Sequence, residues 1–220
     1  MTLSTPASTD SPPRWERRKE HRPAELLDAA LDCFVDRGYA ATRLEDVATR
    51  AGVSKGTLYL YYNGKVDLFK AVVRSNALPL IEAFRQEIQH STAGSAKLLE
   101  SFFHGWWRQV GETRLAGIAK LIVGEAGNFP EVTRFFLEEV TVPTWRLLGS
   151  ILERGIAAGE FRAIDVEAAT VLWMSPLILK AIWMRSIVPN CGEAEVIPTE
   201  RFLATHTELV LAALRPGGAR

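Results

Sequence analysis

Cysteine is scarce in this chain: Cys33 and Cys191 are the only two in 220 residues. They stand far apart and form no CxxC pair, which excludes a disulfide scaffold or a zinc ribbon and reads as two reduced thiols. The four histidines, His21, His90, His104 and His206, share no ligand spacing with each other or with the cysteines. No HExxH, Gly-x-Ser-x-Gly or glycine-rich phosphate loop occurs. The expectation is therefore no catalytic centre, no metal and no cofactor. Excess charge is also missing, with 26 basic residues against 26 acidic ones. A neutral total argues against wholesale coating of nucleic acid but leaves room for a local basic patch. The first residues lack the charged start and apolar run of a secretory signal. No apolar stretch is expected to reach bilayer length; Leu172 to Ile187 comes nearest and is interrupted by Lys180 and Arg185. These features point to a cytoplasmic protein without a membrane partner.

Alternating strand patterns and internal repeats are absent too, while 47% of the residues are apolar. What is present is helical periodicity. Residues 1–13 are rich in Ser, Thr and Pro and read as disordered. The basic run Arg14, Arg17, Arg18, Lys19 and Arg22 is either a solvated helix start or an arm along phosphates. From Pro23, Leu26, Leu27, Ala30, Leu31, Phe34 and Val35 share one helix face, and Gly38 can end that helix. Thr42 and Glu45 have the spacing of a capping box. Further helices are expected near 65–90, 95–112, 114–126, 131–157, 165–187 and 199–214, with Pro79, Pro143 and Pro176 as kinks or boundaries. The fold class is all-α, in three parts: an arm (1–21), a three-helix unit (22–68) and a larger helical part (69–220).

The stretch from Thr42 to Tyr59 has the spacing of a helix-turn-helix. Ala48 is small where two helices must cross, Gly52 tolerates positive φ in the turn, and Val53 and Leu58 pin the second helix from below. Ser54 caps that second helix, so its first turn would present Ser54, Lys55, Gly56 and Thr57 outward, where free N–H groups meet phosphates or base edges. Tyr59 and Tyr61 offer hydroxyls and ring faces to DNA, whereas Tyr62, four residues after Leu58, turns inward. Arg43 and Lys65 are placed to hold the flanking backbone, and Thr42 belongs to the same surface. Residues 14–70 hold 11 Lys and Arg against 9 Asp and Glu, a net of +2. The acids gather on the first helix (Glu25, Asp28, Asp32, Asp36), away from the reading end.

The same residues resemble the signature of the TetR family of transcriptional regulators. Thr42, Asp46-Val47-Ala48, Ala51-Gly52-Val53, Ser54-Lys55-Gly56-Thr57-Leu58-Tyr59, Tyr61-Tyr62 and Lys65-Val66-Asp67-Leu68 stand in its order. Tyr61 replaces a frequent His, Tyr62 a frequent Phe, and Asn63-Gly64 the usual turn. The resemblance implies a repressor that leaves a palindromic operator when a small, largely apolar effector binds. It also implies a homodimer through the helices near 165–187 and 199–214. Phe103, Trp107, Trp145 and Trp173 are candidate walls of an effector pocket, with Glu125, Arg108 or Lys180 as a polar anchor. Adjacent Trp106 and Trp107 are not expected to face one core together. The rival reading is a helical enzyme or small-molecule carrier with an incidental helix-turn-helix.

Overall fold

The computed structural model describes residues 14–191 and 197–216, with side chains from Arg22 onward. Of the arm expected at 1–21, residues 1–13 and the side chains of Arg14, Arg17, Arg18 and Lys19 lie outside the described residues, and residues 14–21 belong to the first helix. Among the described residues every regular element is helical. The chain runs through α1 (Arg14–Ala41), α2 (Leu44–Arg50), α3 (Lys55–Tyr59), α4 (Lys65–His90), α5 (Ser95–Trp106), α6 (Ala116–Glu125), α7 (Pro130–Phe136), α8 (Val142–Ala157), α9 (Val166–Ser186) and α10 (Thr199–Leu214).

Local chemistry sets the boundaries. Gly38 has φ 81° and breaks the regular course of α1 one turn before its end. The capping box expected at Thr42 does not form. α2 is capped at Arg43 without a side-chain bond. The Thr42 hydroxyl donates to the carbonyls of Gly38 (2.7 Å) and Cys33 (3.0 Å), and the residue is 1% exposed.

Two π turns interrupt the C-terminal helices, at Trp107–Gly111 after α5 and at Leu137–Thr141 between α7 and α8. The second precedes Pro143, whose ring lacks a donor and crowds the carbonyl four residues back, so an extra residue per turn relieves the clash. Beside the first, the paired tryptophans correct an expectation: both rings enter the same core, Trp106 at 7% and Trp107 at 2% exposure. Trp107 lies over Gly111 and donates its Nε1–H to Glu112 Oε1 at 2.9 Å.

Two apolar cores result. One is built within the C-terminal helices, from Ile81 and Phe84 on α4 through Phe102, Phe103, Leu148, Leu152, Met174 and Leu177 to Leu203 and Val210. The other gathers Leu26, Leu31, Phe34, Tyr39, Val47, Leu58, Leu68, Phe69 and Val72, and is completed by Ile118 and Leu121 of α6 and Val132 and Phe135 of α7. α4 contributes to both. α6 lies close against α1: a methyl at Gly117 would sit 2.5 Å from Cγ1 of Val35. Beside that contact Arg114 pairs with Asp28 and Asp32 of α1, and Arg50 of α2 pairs with Asp32 and Asp36. This is where the acids of the first helix are used. Each exposed pair is weak alone; together they fix the azimuth of α1 against α2 and α6.

α9 corrects another expectation. By length and composition Val166–Asn190 could cross a bilayer, its most apolar 18 residues having a mean hydropathy of 1.4. Its basic residues are tied to neighbouring backbone instead: Lys180 donates to Ile197 O at 2.8 Å, and Arg185 to the carbonyls of Glu112 and Thr113. Met174, Leu177 and Ala181 pack into the core.

The α1–α6 contact predicts a contrast within one helix. Gly117→Ala loses about 1–3 kcal/mol to overpacking, a drop of several degrees in Tm. Gly124→Ala, whose added methyl meets nothing within 4 Å, keeps or raises Tm because alanine favours the helix. Differential scanning calorimetry of the two variants checks this; equal melting temperatures would remove the close approach from the account.

Candidate nucleic-acid interface and the cavity behind it

The turn between α2 and α3 is built as its sequence requires. Gly52 has φ 66°. Val53 N–H donates to Ala48 O at 2.9 Å, and Ala48 is buried where the two helices cross. Ser54 Oγ accepts the Thr57 N–H at 3.1 Å, capping α3. Leu58 and Tyr62 are buried beneath it. The opposite side of this short helix is therefore turned outward. Ser54, Lys55, Gly56, Tyr59 and Tyr61 are exposed, with Thr57 half-buried and Arg43 exposed nearby.

Lys55 pairs with Glu45 of α2, and its Nζ lies 5.7 Å from the Tyr59 ring centre. The hydrogen bond from Lys55 holds the Glu45 carboxyl below the usual carboxylate range, and the same contact raises Lys55. The pair holds the ammonium over the outward face. Sequence reasoning missed Leu60, which is 83% exposed between the two outward tyrosines. The signal was available: once Leu58 and Tyr62 face in, the residue midway between them faces out.

Two other expected surface residues are used inside the domain. Thr42 is buried on the carbonyls of α1. Lys65 Nζ donates to the carbonyls of Tyr39 (2.8 Å) and Ala40 (3.0 Å) and sits 4.6 Å from the Tyr39 ring centre. Burial lowers its pKa. It closes the end of α1 as a cation placed on free carbonyls. Glu125, expected as a pocket anchor, belongs to the same junction: its Oε1 accepts the Ala40 N–H at 3.2 Å.

Behind this domain an apolar cavity of about 110 Å³ lies between α4, α6, α8 and α9. Val73, Ala77, Ile81 and Phe84 of α4 form one wall; Ile118, Val140, Trp145 and Met174 are among the residues facing them. Asn76, Thr141 and Thr144 are the polar side chains at its lining. Of the four expected walls only Trp145 is there. Phe103 and Trp107 are packed in the solid core, and Trp173 packs against it, its carbonyl 2.9 Å from His206 Nε2. Neither Arg108 nor Lys180 lines the cavity.

Lys65→Met removes two charge-assisted hydrogen bonds, a loss of about 1–3 kcal/mol, and lowers Tm by several degrees. Thermal melts of the variant check this; an unchanged melt would mean the ammonium is not needed at the end of α1.

Comparison with known proteins adds the following. Residues 26–72 match the family model described as bacterial regulatory proteins, tetR family, and residues 99–213 match that of the AefR-like transcriptional repressor C-terminal domain. The transcriptional repressor KstR2 of Rhodococcus jostii is 31% identical over 153 residues, covering 69% of this chain and 74% of that protein. The activator FasR of Mycolicibacterium smegmatis is 39% identical over 94 residues, so the chain spans only 41% of FasR's length. Among solved structures, FadR of Bacillus subtilis in complex with stearoyl-CoA superposes with a TM-score of 0.71 at 22% identity, over 87% of this chain and 99% of that one. The ketosteroid regulator KstR2 of Mycobacterium tuberculosis gives 0.67 at 22% identity, over 89% and 95%. Matches at both ends of the chain, joined to a helix-turn-helix with its turn, cap and outward face in place, make this chain a member of the TetR family of bacterial transcriptional regulators.

Proposed function

We propose that two copies of the chain hold a palindromic operator in the cytoplasm, one α3 in each of two successive major grooves, and release it when a largely apolar effector fills the cavity. The observation that carries this reading is the polarity of α3, pinned from beneath by Leu58 and Tyr62 and outward with Lys55, Gly56, Tyr59 and Tyr61. Arg43 and Lys55 supply phosphate contacts, and Thr57, Tyr59 and Tyr61 read base edges. The exposed apolar residues Leu172, Leu179 and Trp183 of α9 and Leu209 of α10 support pairing of these helices with their copies, since a two-fold dimer matches a palindrome.

Cavity shape and size support both the effector class and the coupling. Its α4 wall runs three turns, from Val73 to Phe84, about 16 Å along the helix, which suits an elongated apolar body. Stearoyl-CoA in the FadR complex and the ketosteroids for which a KstR2 is named both carry one. At about 110 Å³ the cavity is smaller than the roughly 300–1,000 Å³ of typical ligand sites, so filling it moves its walls. Leu115 and, on α6, Ile118 and Ala119 face the cavity, while Gly117 and Arg114 hold α1. An effector that favours the widened cavity therefore favours a shifted α1–α3 unit.

Fluorescence anisotropy with DNA fragments flanking the gene tests the reading. Lys55→Ala weakens binding to all fragments and reduces the slope of log K against log salt by about 1. Leu179→Glu gives monomers in sedimentation and loses operator binding. A chain that binds no fragment, or a Lys55→Ala variant with an unchanged slope, would favour the helical enzyme or carrier instead.

A further inference from the structure

Within α3, Leu58 is the fully buried side chain. Successive residues of a helix are turned by about 100° around its axis. Gly56 and Leu60 stand two places to either side of Leu58, so each falls about 160° around the helix from it. Together they mark the line of α3 that lies opposite the core. The helical course holds this far: the Leu60 N–H donates to the carbonyls of Gly56 (3.2 Å) and Thr57 (3.3 Å), and its φ and ψ are −68° and −22°. Along that line stand bare backbone at Gly56 and, one turn on, an alkyl group. Leu60 is the most exposed large apolar residue among those described, at 83%. A single exposed leucine is ordinary on a protein surface; this one occupies the middle of the outward face of a recognition helix.

Gly56 supplies a second, independent observation. Its φ is not positive. A methyl added there would have one neighbour within 4 Å, Ser54 Oγ at 3.8 Å, an ordinary contact. Neither the backbone nor the packing of the chain requires glycine at this place, and alanine would favour the helix. What glycine leaves is room for something outside the chain to approach α3, one turn before Leu60.

We infer that Leu60 is a specificity-determining residue of the operator complex: its side chain covers the 5-methyl group of a thymine in each half-site, and Gly56 admits the duplex closely enough for that contact. In the major groove the thymine methyl is read by apolar contact, not by hydrogen bonds. Leu60 lies about 6 Å along the helix from Gly56, a little under two base-pair steps of about 3.4 Å. The thymine therefore falls within two base pairs of the closest approach. The inference rests on α3 lying in the major groove, and its test separates the two.

The test takes the flanking fragment that the wild type binds most tightly in the anisotropy assay, prepared with thymidine and again with deoxyuridine, which lacks only the methyl. The wild type binds the deoxyuridine fragment about tenfold more weakly, the effect of uncovering about one methyl group in each of two half-sites. Leu60→Ala, with an unchanged Tm, binds the thymidine fragment about tenfold more weakly than the wild type and distinguishes the two fragments by less than about twofold. Changes in duplex shape act on both proteins alike and cancel in this cycle. Gly56→Ala keeps or raises Tm and binds both fragments about tenfold more weakly. A wild type indifferent to deoxyuridine, a Leu60→Ala variant as sensitive to it as the wild type, or a Gly56→Ala variant that binds as tightly as the wild type overturns the inference. In each of these cases α3 in the major groove stands if Lys55→Ala still reduces the salt slope. If the wild type binds no fragment, that reading and the inference fall together.

Discussion

The N-terminal helices are too few and too short to enclose an apolar core by themselves, because a domain of about fifty residues buries only a modest share of its surface. Their core is closed from outside, by Ile118 and Leu121 on α6 and Val132 and Phe135 on α7. Most of the molecule's behaviour follows from that borrowed wall. The bare backbone at Gly117 lets α6 approach Val35, and the Arg114 pairs with Asp28 and Asp32 prevent α1 from sliding along it. Lys65 and Glu125 fix the end of α1 to the starts of α4 and the end of α6. The outward face of α3 is thereby referenced to α6 and α4.

Those two helices also line the cavity. A close-packed interior transmits displacement instead of absorbing it, and in the proposed coupling whatever widens the cavity is felt at α1 through the close contact at Gly117. The C-terminal core behaves differently. Phe102, Phe103, Trp107, Leu148 and Leu152 are fully or nearly fully buried and provide a stiff back wall, while the irregular stretch before α8 leaves the opposite side open to accommodation.

How much of this was legible in the sequence depended on how local each determinant is. The turn at Gly52, the cap at Ser54 and the inward Leu58 and Tyr62 are set by spacings of a few residues, and the structure has them where the spacing puts them. Helix limits such as 65–90 and 199–214 were equally readable from periodicity. Thr42 was misassigned because a hydroxyl between two helices can serve either end, and only their relative placement decides. Lys65 was read as a surface cation for the same reason: its partners, the carbonyls of Tyr39 and Ala40, lie 25 or more residues away in sequence. The cavity was least legible. Large aromatics such as Phe103 and Trp107 fill space, whereas a void arises where Ala77, Ala119 and Val110 fail to fill it.

The central claim is that occupancy of the cavity alters the placement of α3 through α6. Double electron–electron resonance between spin labels on the two copies of Leu60→Cys, in a Cys191→Ser background, reads that placement directly in the dimer. The account predicts that an effector which releases DNA shifts the label-to-label distance by several ångströms, and that Gly117→Ala, which forces α6 and α1 apart, shifts it without effector. An unchanged distance distribution under conditions where the effector releases DNA would contradict it.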